Sequence, residues 1–152
     1  MVNLRKILIT TDLSNHSAAA LEYAFSLGLL YASRMYLLYV AENASPLFGR
    51  FAHDRDPRPE AAKVEEAAMR KLEDFIIAHG GRERKVIPVV RSGNAEQEIL
   101  RFAEEERVDL IVMATHGWTG LQHLFLGSVA ERVVRRSSIP VLTVKPKPTQ
   151  DE

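Results

Sequence analysis

The sequence contains no cysteine, which excludes a disulfide frame, thiolate chemistry and any metal site built on cysteine. It has no surplus of either charge. Twenty basic residues balance twenty acidic ones, so no whole-chain field draws the protein toward nucleic acid or an anionic membrane. Long apolar runs are missing too. The longest apolar-rich stretch, Ala18 to Ala32, is broken by Glu22, Ser26 and Gly28 and falls short of the roughly 20 residues that span a bilayer. The opening, Met1-Val2-Asn3-Leu4-Arg5-Lys6, lacks the apolar stretch and cleavage site of a secretory signal. These absences give the expectation of a cytoplasmic protein with neither a nucleic-acid nor a membrane partner.

What is present suits one folded unit. The chain has 152 residues, 46% of them hydrophobic, enough to bury a full core. A single domain is expected over 1–146, with a flexible tail over 147–152. Five short, nearly uncharged apolar runs read as strands: Ile7 to Ile9, Met35 to Val40, Val86 to Val90, Leu110 to Met113 and Val141 to Val144. Such runs suit strands covered on both faces, as in a parallel sheet.

Helical spacing fills the gaps. Asn15 to Tyr31 carries Leu21, Ala24, Phe25 and Gly28 on one face. Pro59 to His79 carries a stripe of Val64, Ala68, Leu72, Phe75 and Ile76, and Gly80-Gly81 come next as a stop. Asn94 to Glu106 and Ser128 to Arg136 each open with a capping-box spacing, Asn94 with Gln97 and Ser128 with Glu131. The alternation predicts an α/β fold with a parallel sheet wound on both faces. The segment from Glu42 to Arg58, with prolines, a glycine and Phe48 and Phe51 among arginines, reads as a mobile loop or cap.

In such sheets ligands bind beyond the carboxyl ends of the strands, where strand order reverses. The residues just after the strands are therefore the candidates. Gly127-Ser128 stands just ahead of the last helix, where a glycine lets a ligand approach and the first-turn N–H groups face an anion. Gly117 could bring a second backbone segment to the same place. The simpler alternative is that Gly117 and Gly127 make turns and Ser128 caps its helix, with Glu131 folded back upon the helix end. The five histidines have no metal-ligand spacing, although His116 sits within this region.

These residues resemble the universal stress protein family, and within it the ATP-binding subgroup. That subgroup carries Gly, two residues, Gly, nine residues, then Gly followed by Ser or Thr. The corresponding segment is Ala114-Thr115-His116-Gly117, nine residues from Trp118 to Leu126, then Gly127-Ser128. The opening Ile7 to Asp12 and the close, Ser128 to Val144, are similar as well. The departure is Ala114, where the motif has glycine; its methyl would crowd a ligand or demand a negative φ.

The resemblance implies a three-layer α/β/α fold with five parallel strands in the order 3-2-1-4-5. It implies ATP as ligand, with magnesium held mainly by the phosphates. Thr10, Thr11 and Asp12 would lie beside the nucleoside, although Asp12 also suits a cap for the first helix. Val40 would pack on adenine, and Met113 and Ala114 would line the ribose-phosphate side. Gly117, Gly127, Ser128 and Val129 would offer N–H groups to the phosphates, and His116 a hydrogen bond nearby. It further implies a homodimer through the edge strand Val141 to Val144.

A nucleotide-dependent regulatory module with an unidentified protein partner is the first functional expectation. The alternatives are a stress protein that works by protein contact without nucleotide, and a slow ATPase or adenylating enzyme. The adenylating alternative lacks a glycine-bearing pyrophosphate loop after the first strand, which reads Thr10-Thr11-Asp12-Leu13-Ser14, and the Walker loop is absent.

Overall fold

The computed structural model describes residues 1–42, 58–115 and 126–146, and only the backbone of 58–61. In chain order the elements are β1 (Lys6–Thr11), α1 (Ala19–Tyr31), β2 (Arg34–Ala41), α2 (Arg58–Ala78), β3 (Ile87–Ser92), α3 (Ala95–Glu105), β4 (Leu110–Ala114), α4 (Ser128–Arg136) and β5 (Val141–Val144). The strands form one sheet in the order β3-β2-β1-β4-β5, and every pairing is parallel.

The two-residue period of the strands divides the core into two layers. Ile7, Ile9, Leu37 and Val112 face α1 and α2, where they meet Ala20, Leu21, Ala24, Phe25, Leu72, Phe75 and Ile76. Leu8, Tyr36, Leu38, Ile111 and Met113 face the other way, against Ile99, Phe102 and Ala103 of α3 and Ala130 and Val133 of α4. Because each central strand buries both faces, these runs show no polar alternation in sequence. The fold is thus the expected open three-layer α/β/α sheet.

Element ends differ from the sequence reading for local reasons. The first helix begins at Ala19 rather than Asn15. Residues Ser14 to Ala19 instead make i to i+3 turns, with Ser17 N donating to Ser14 O, Ala18 N to Asn15 O and Ala19 N to His16 O. Ser14 and Ser17 side chains supply competing hydrogen bonds there. On α2, Val64 falls outside the buried stripe at 57% exposure, while Ala68, Leu72, Phe75 and Ile76 are buried. Gly28 of α1 packs against Met35 of β2: a Cβ there would strike the Met35 sulfur.

The edge strands are β3, of six residues, and β5, of four. β3 tolerates Pro88 because an edge strand needs no second row of donors. β5, at the other edge, pairs only with β4 among the described residues. The expected cap over 43–57 and the tail over 147–152 lie outside the described residues.

Candidate functional site

A cleft of about 510 Å³ opens at the carboxyl ends of β1, β2 and β4, where strand order reverses between β1 and β4. That volume suits a small-molecule ligand. Nine of the sequence-predicted residues line it: Thr10, Thr11, Asp12, Val40, Met113, Ala114, Gly127, Ser128 and Val129. The remaining two, His116 and Gly117, lie outside the described residues.

The β1 end is shaped by hydroxyl and carboxylate bonds. The hydroxyls of Thr11 and Ser17 are 2.7 Å apart, and Leu13 N donates to Thr11 Oγ1 at 2.9 Å. Asp12 Oδ1 accepts from Ser14 N at 3.0 Å and also from the Ser14 hydroxyl. This Asx turn replaces the helix cap that Asp12 suited in sequence. It steers the chain through Leu13, whose φ of 66° is left-handed and costly for a leucine. The turn holds Asp12, half-buried, at the cleft wall.

The β4 side carries Ala114 as the last strand residue, in register with Val144. Ala114 is not among the residues with positive φ, so its methyl needs no strained backbone. The next residue, Thr115, donates its N–H to Val144 O at 2.9 Å, and its carbonyl accepts from Gly127 N–H. The second bond ties the end of β4 to the start of α4. Thr115 Oγ1 is buried and finds no hydrogen-bond partner among the described residues.

The N-terminus of α4 departs from the capping-box expectation. Gly127, not Ser128, is the N-cap, with φ −65° and ψ 156°, and among the described residues no side chain caps the helix. Glu131 N donates to Gly127 O at 2.9 Å, while the Glu131 carboxylate takes Arg135 at 2.6 Å. Glu131 is therefore turned along the helix rather than back onto its end. Gly127 N–H is committed to Thr115, so the donors facing the cleft are those of Ser128, Val129 and Ala130, which have no backbone acceptor among the described residues.

The structure adds cleft residues that sequence reasoning did not single out: Ser17, Leu38, Tyr39, Glu42, Ala95, Ile99, Thr115 and Ala130. Ser17 and Ala95 come from turns and helix starts brought in by the fold. Leu38 and Ile99 belong to the core beneath the cleft floor. Of these, only Thr115 carried a signal, since it lies inside the glycine motif. No lysine or arginine is among the described residues lining the cleft. No group of three or more metal-binding side chains occurs among the described residues either. No helix there is long and apolar enough to cross a membrane. Burial and the neighbouring Glu106 carboxylate raise the Tyr36 hydroxyl above the ordinary tyrosine range, but Tyr36 is not part of the cleft.

Known proteins share this frame. Residues 3–145 match the pattern of the universal stress protein family. Universal stress protein MJ0531 of Methanocaldococcus jannaschii is 36% identical over 149 residues, covering 97% of this chain and 85% of its own length. Universal stress protein MJ0577 of the same organism is 32% identical over 158 residues, covering 96% of this chain and 98% of its own. The solved structure of MJ0577 superposes with a TM-score of 0.79, covering 97% of this chain and all of its own. A universal stress protein solved in complex with cAMP has the same fold at 21% identity, with a TM-score of 0.64 over 95% of this chain and 99% of its own. With the family pattern running through all five strands and a full-length relative above 30% identity, the chain belongs to the universal stress protein family.

Proposed function

We propose that the cleft binds ATP and that the protein is a nucleotide-dependent regulatory module of the stress response, acting as a homodimer with little or no hydrolysis. The observation that carries this reading is the uncapped α4 N-terminus. Three backbone donors stand at a cleft of nucleotide size at the sheet's switch point, and no side chain among the described residues is bonded to them. Val40 and Met113 supply apolar wall for the base and ribose, while Thr10, Thr11 and Asp12 supply polar edges. The family resemblance would add His116 and Gly117, outside the described residues, to the phosphate side. Magnesium would be held mainly by phosphate oxygens and water, which fits a site without a carboxylate cluster among the described residues.

Titration calorimetry with ATP and GTP, each with magnesium, tests the reading. ATP is expected to bind and GTP to bind less well, because the base would be read by backbone groups between Thr10 and Asp12. Equal affinities, or no heat with either, refute it. Native mass spectrometry of the purified protein distinguishes the nucleotide module from a stress protein that works by contact alone, since retained nucleotide appears as added mass.

A further inference from the structure

The helix that presents the phosphate-facing donors is held to the sheet by little. α4 has nine residues, of which only Ala130 and Val133 are buried. Val129 packs partly against the same core and the Gly127 N–H bonds Thr115 at the helix start; the further attachment is ionic. Glu96, in the first turn of α3, has a side chain only 7% exposed and reaches Arg136 at 2.6 Å through Oε1 and Arg132 at 4.0 Å through Oε2. The two arginines are one turn apart, so a single carboxylate grips one face of α4. Neither touches the cleft, but both ends of the clamp border it: Ala95 precedes Glu96, and Gly127 to Ala130 form the first turn of the gripped helix.

We infer that Glu96 is a positioning residue for phosphate binding: through Arg136 and Arg132 it sets where the α4 N-terminus stands against the cleft. A small displacement of this short helix would move three N–H groups together, because they share one rigid turn. Hydrogen bonds weaken steeply with misalignment, so phosphate affinity reads that displacement while nucleoside contacts on β1 and β2 do not. The burial of Glu96 makes the clamp directional. A carboxylate this enclosed must keep a cation beside it, whereas the arginines, 64% and 55% exposed, could pair with water instead. The inference rests on the ATP reading of the cleft.

The test compares ATP with adenosine on the wild type, Glu96→Gln, Arg136→Gln, the double variant and Arg136→Lys. Glu96→Gln is isosteric and Arg136 is exposed, so both variants are expected to fold, checked by near-ultraviolet circular dichroism and thermal melting. Each single variant is expected to weaken ATP by about tenfold, with the double variant no worse than either, as for residues acting in one network. Adenosine affinity is expected to stay within about twofold, the scatter of an uncoupled site. Arg136→Lys is expected to recover part of the loss, since a cation returns without the fork. Unchanged ATP affinity in both single variants overturns the inference, as does a parallel loss of ATP and adenosine. A wild-type protein that binds ATP no more tightly than adenosine removes the phosphate reading, and the inference with it.

Discussion

Gly127→Val separates the phosphate site from a structural turn. Gly127 has φ −65° and ψ 156°, a conformation open to any residue, so valine brings no backbone strain. Its N–H bond to the Thr115 carbonyl is a main-chain bond that the substitution leaves in place. The expected cost to folding is therefore that of a surface change, within about 0.5 kcal/mol, or about 2 °C in melting temperature for a chain of this size. Binding is different. The branched side chain would stand at the cleft wall beside the donors of Ser128 and Val129. A hydrogen bond to a charged group contributes about 1.5–3 kcal/mol, so displacing the phosphates from two such donors costs about 3 kcal/mol or more. That corresponds to about a 150-fold weakening. Calorimetry with ATP, paired with a thermal melt, reads both quantities. A variant with wild-type affinity places the phosphates elsewhere. A variant that melts far below the wild type supports the structural-turn alternative and refutes the argument from φ.

The edge, the core and the chemistry of the cleft each give a further expected outcome. β5 carries no charge before Lys145, so its outer edge invites self-complementary pairing with a second copy. Light scattering at micromolar concentration should show a dimer, and Val141→Lys with Thr143→Pro should give a monomer; a wild-type monomer, or an unaffected dimer, refutes it. Gly28→Ala places a methyl against Met35 and should destabilise the fold by about 1–3 kcal/mol in urea unfolding, against the stabilisation that alanine brings to an open helix position. Turnover should fall well below about 1 per second in a phosphate-release assay, with faster turnover that is lost in His116→Ala as the refuting result. The described cleft offers backbone donors and hydroxyls, which hold ground and transition states alike, and Arg132, Arg135 and Arg136 are engaged with Glu96 and Glu131.

Strand identity was legible because the central strands are buried on both faces, so their apolar runs are short and unbroken; strand order followed only from the family resemblance. The boundaries of α1 were not, because Asn15 to Ala18 have acceptable helical spacing and only the Ser14 and Ser17 side-chain bonds turn them aside. The candidate cleft was legible where its residues stand at the carboxyl end of a strand or at a helix start marked by glycine, as at Thr10 to Asp12 and Gly127 to Val129. It was not legible where a neighbouring strand or helix brings residues across, as with Ser17, Tyr39 and Ala95.

The Ser128–Glu131 pair shows why local grammar misleads at this end of α4. Spacing alone permits the carboxylate of Glu131 to fold back over the helix N-terminus, which would oppose a bound phosphate. One turn further on, Arg135 offers a full charge at 2.6 Å, a stronger partner than a neutral backbone N–H. The carboxylate turns that way, and among the described residues no side chain caps the helix end. A second acidic residue, Glu96, then grips the same helix from α3 through Arg136, forty positions away in sequence. Arg132, Arg135 and Arg136 lie too far along α4 to meet phosphate, and sequence alone gives them no other task. In the fold they pair with Glu96 and Glu131, and among the described residues no acidic side chain is bonded across the positive pole of the helix. Exchanging Arg135 for glutamine would free Glu131 to fold back, and ATP affinity, read by calorimetry, would then fall although the substituted side chain never touches the ligand.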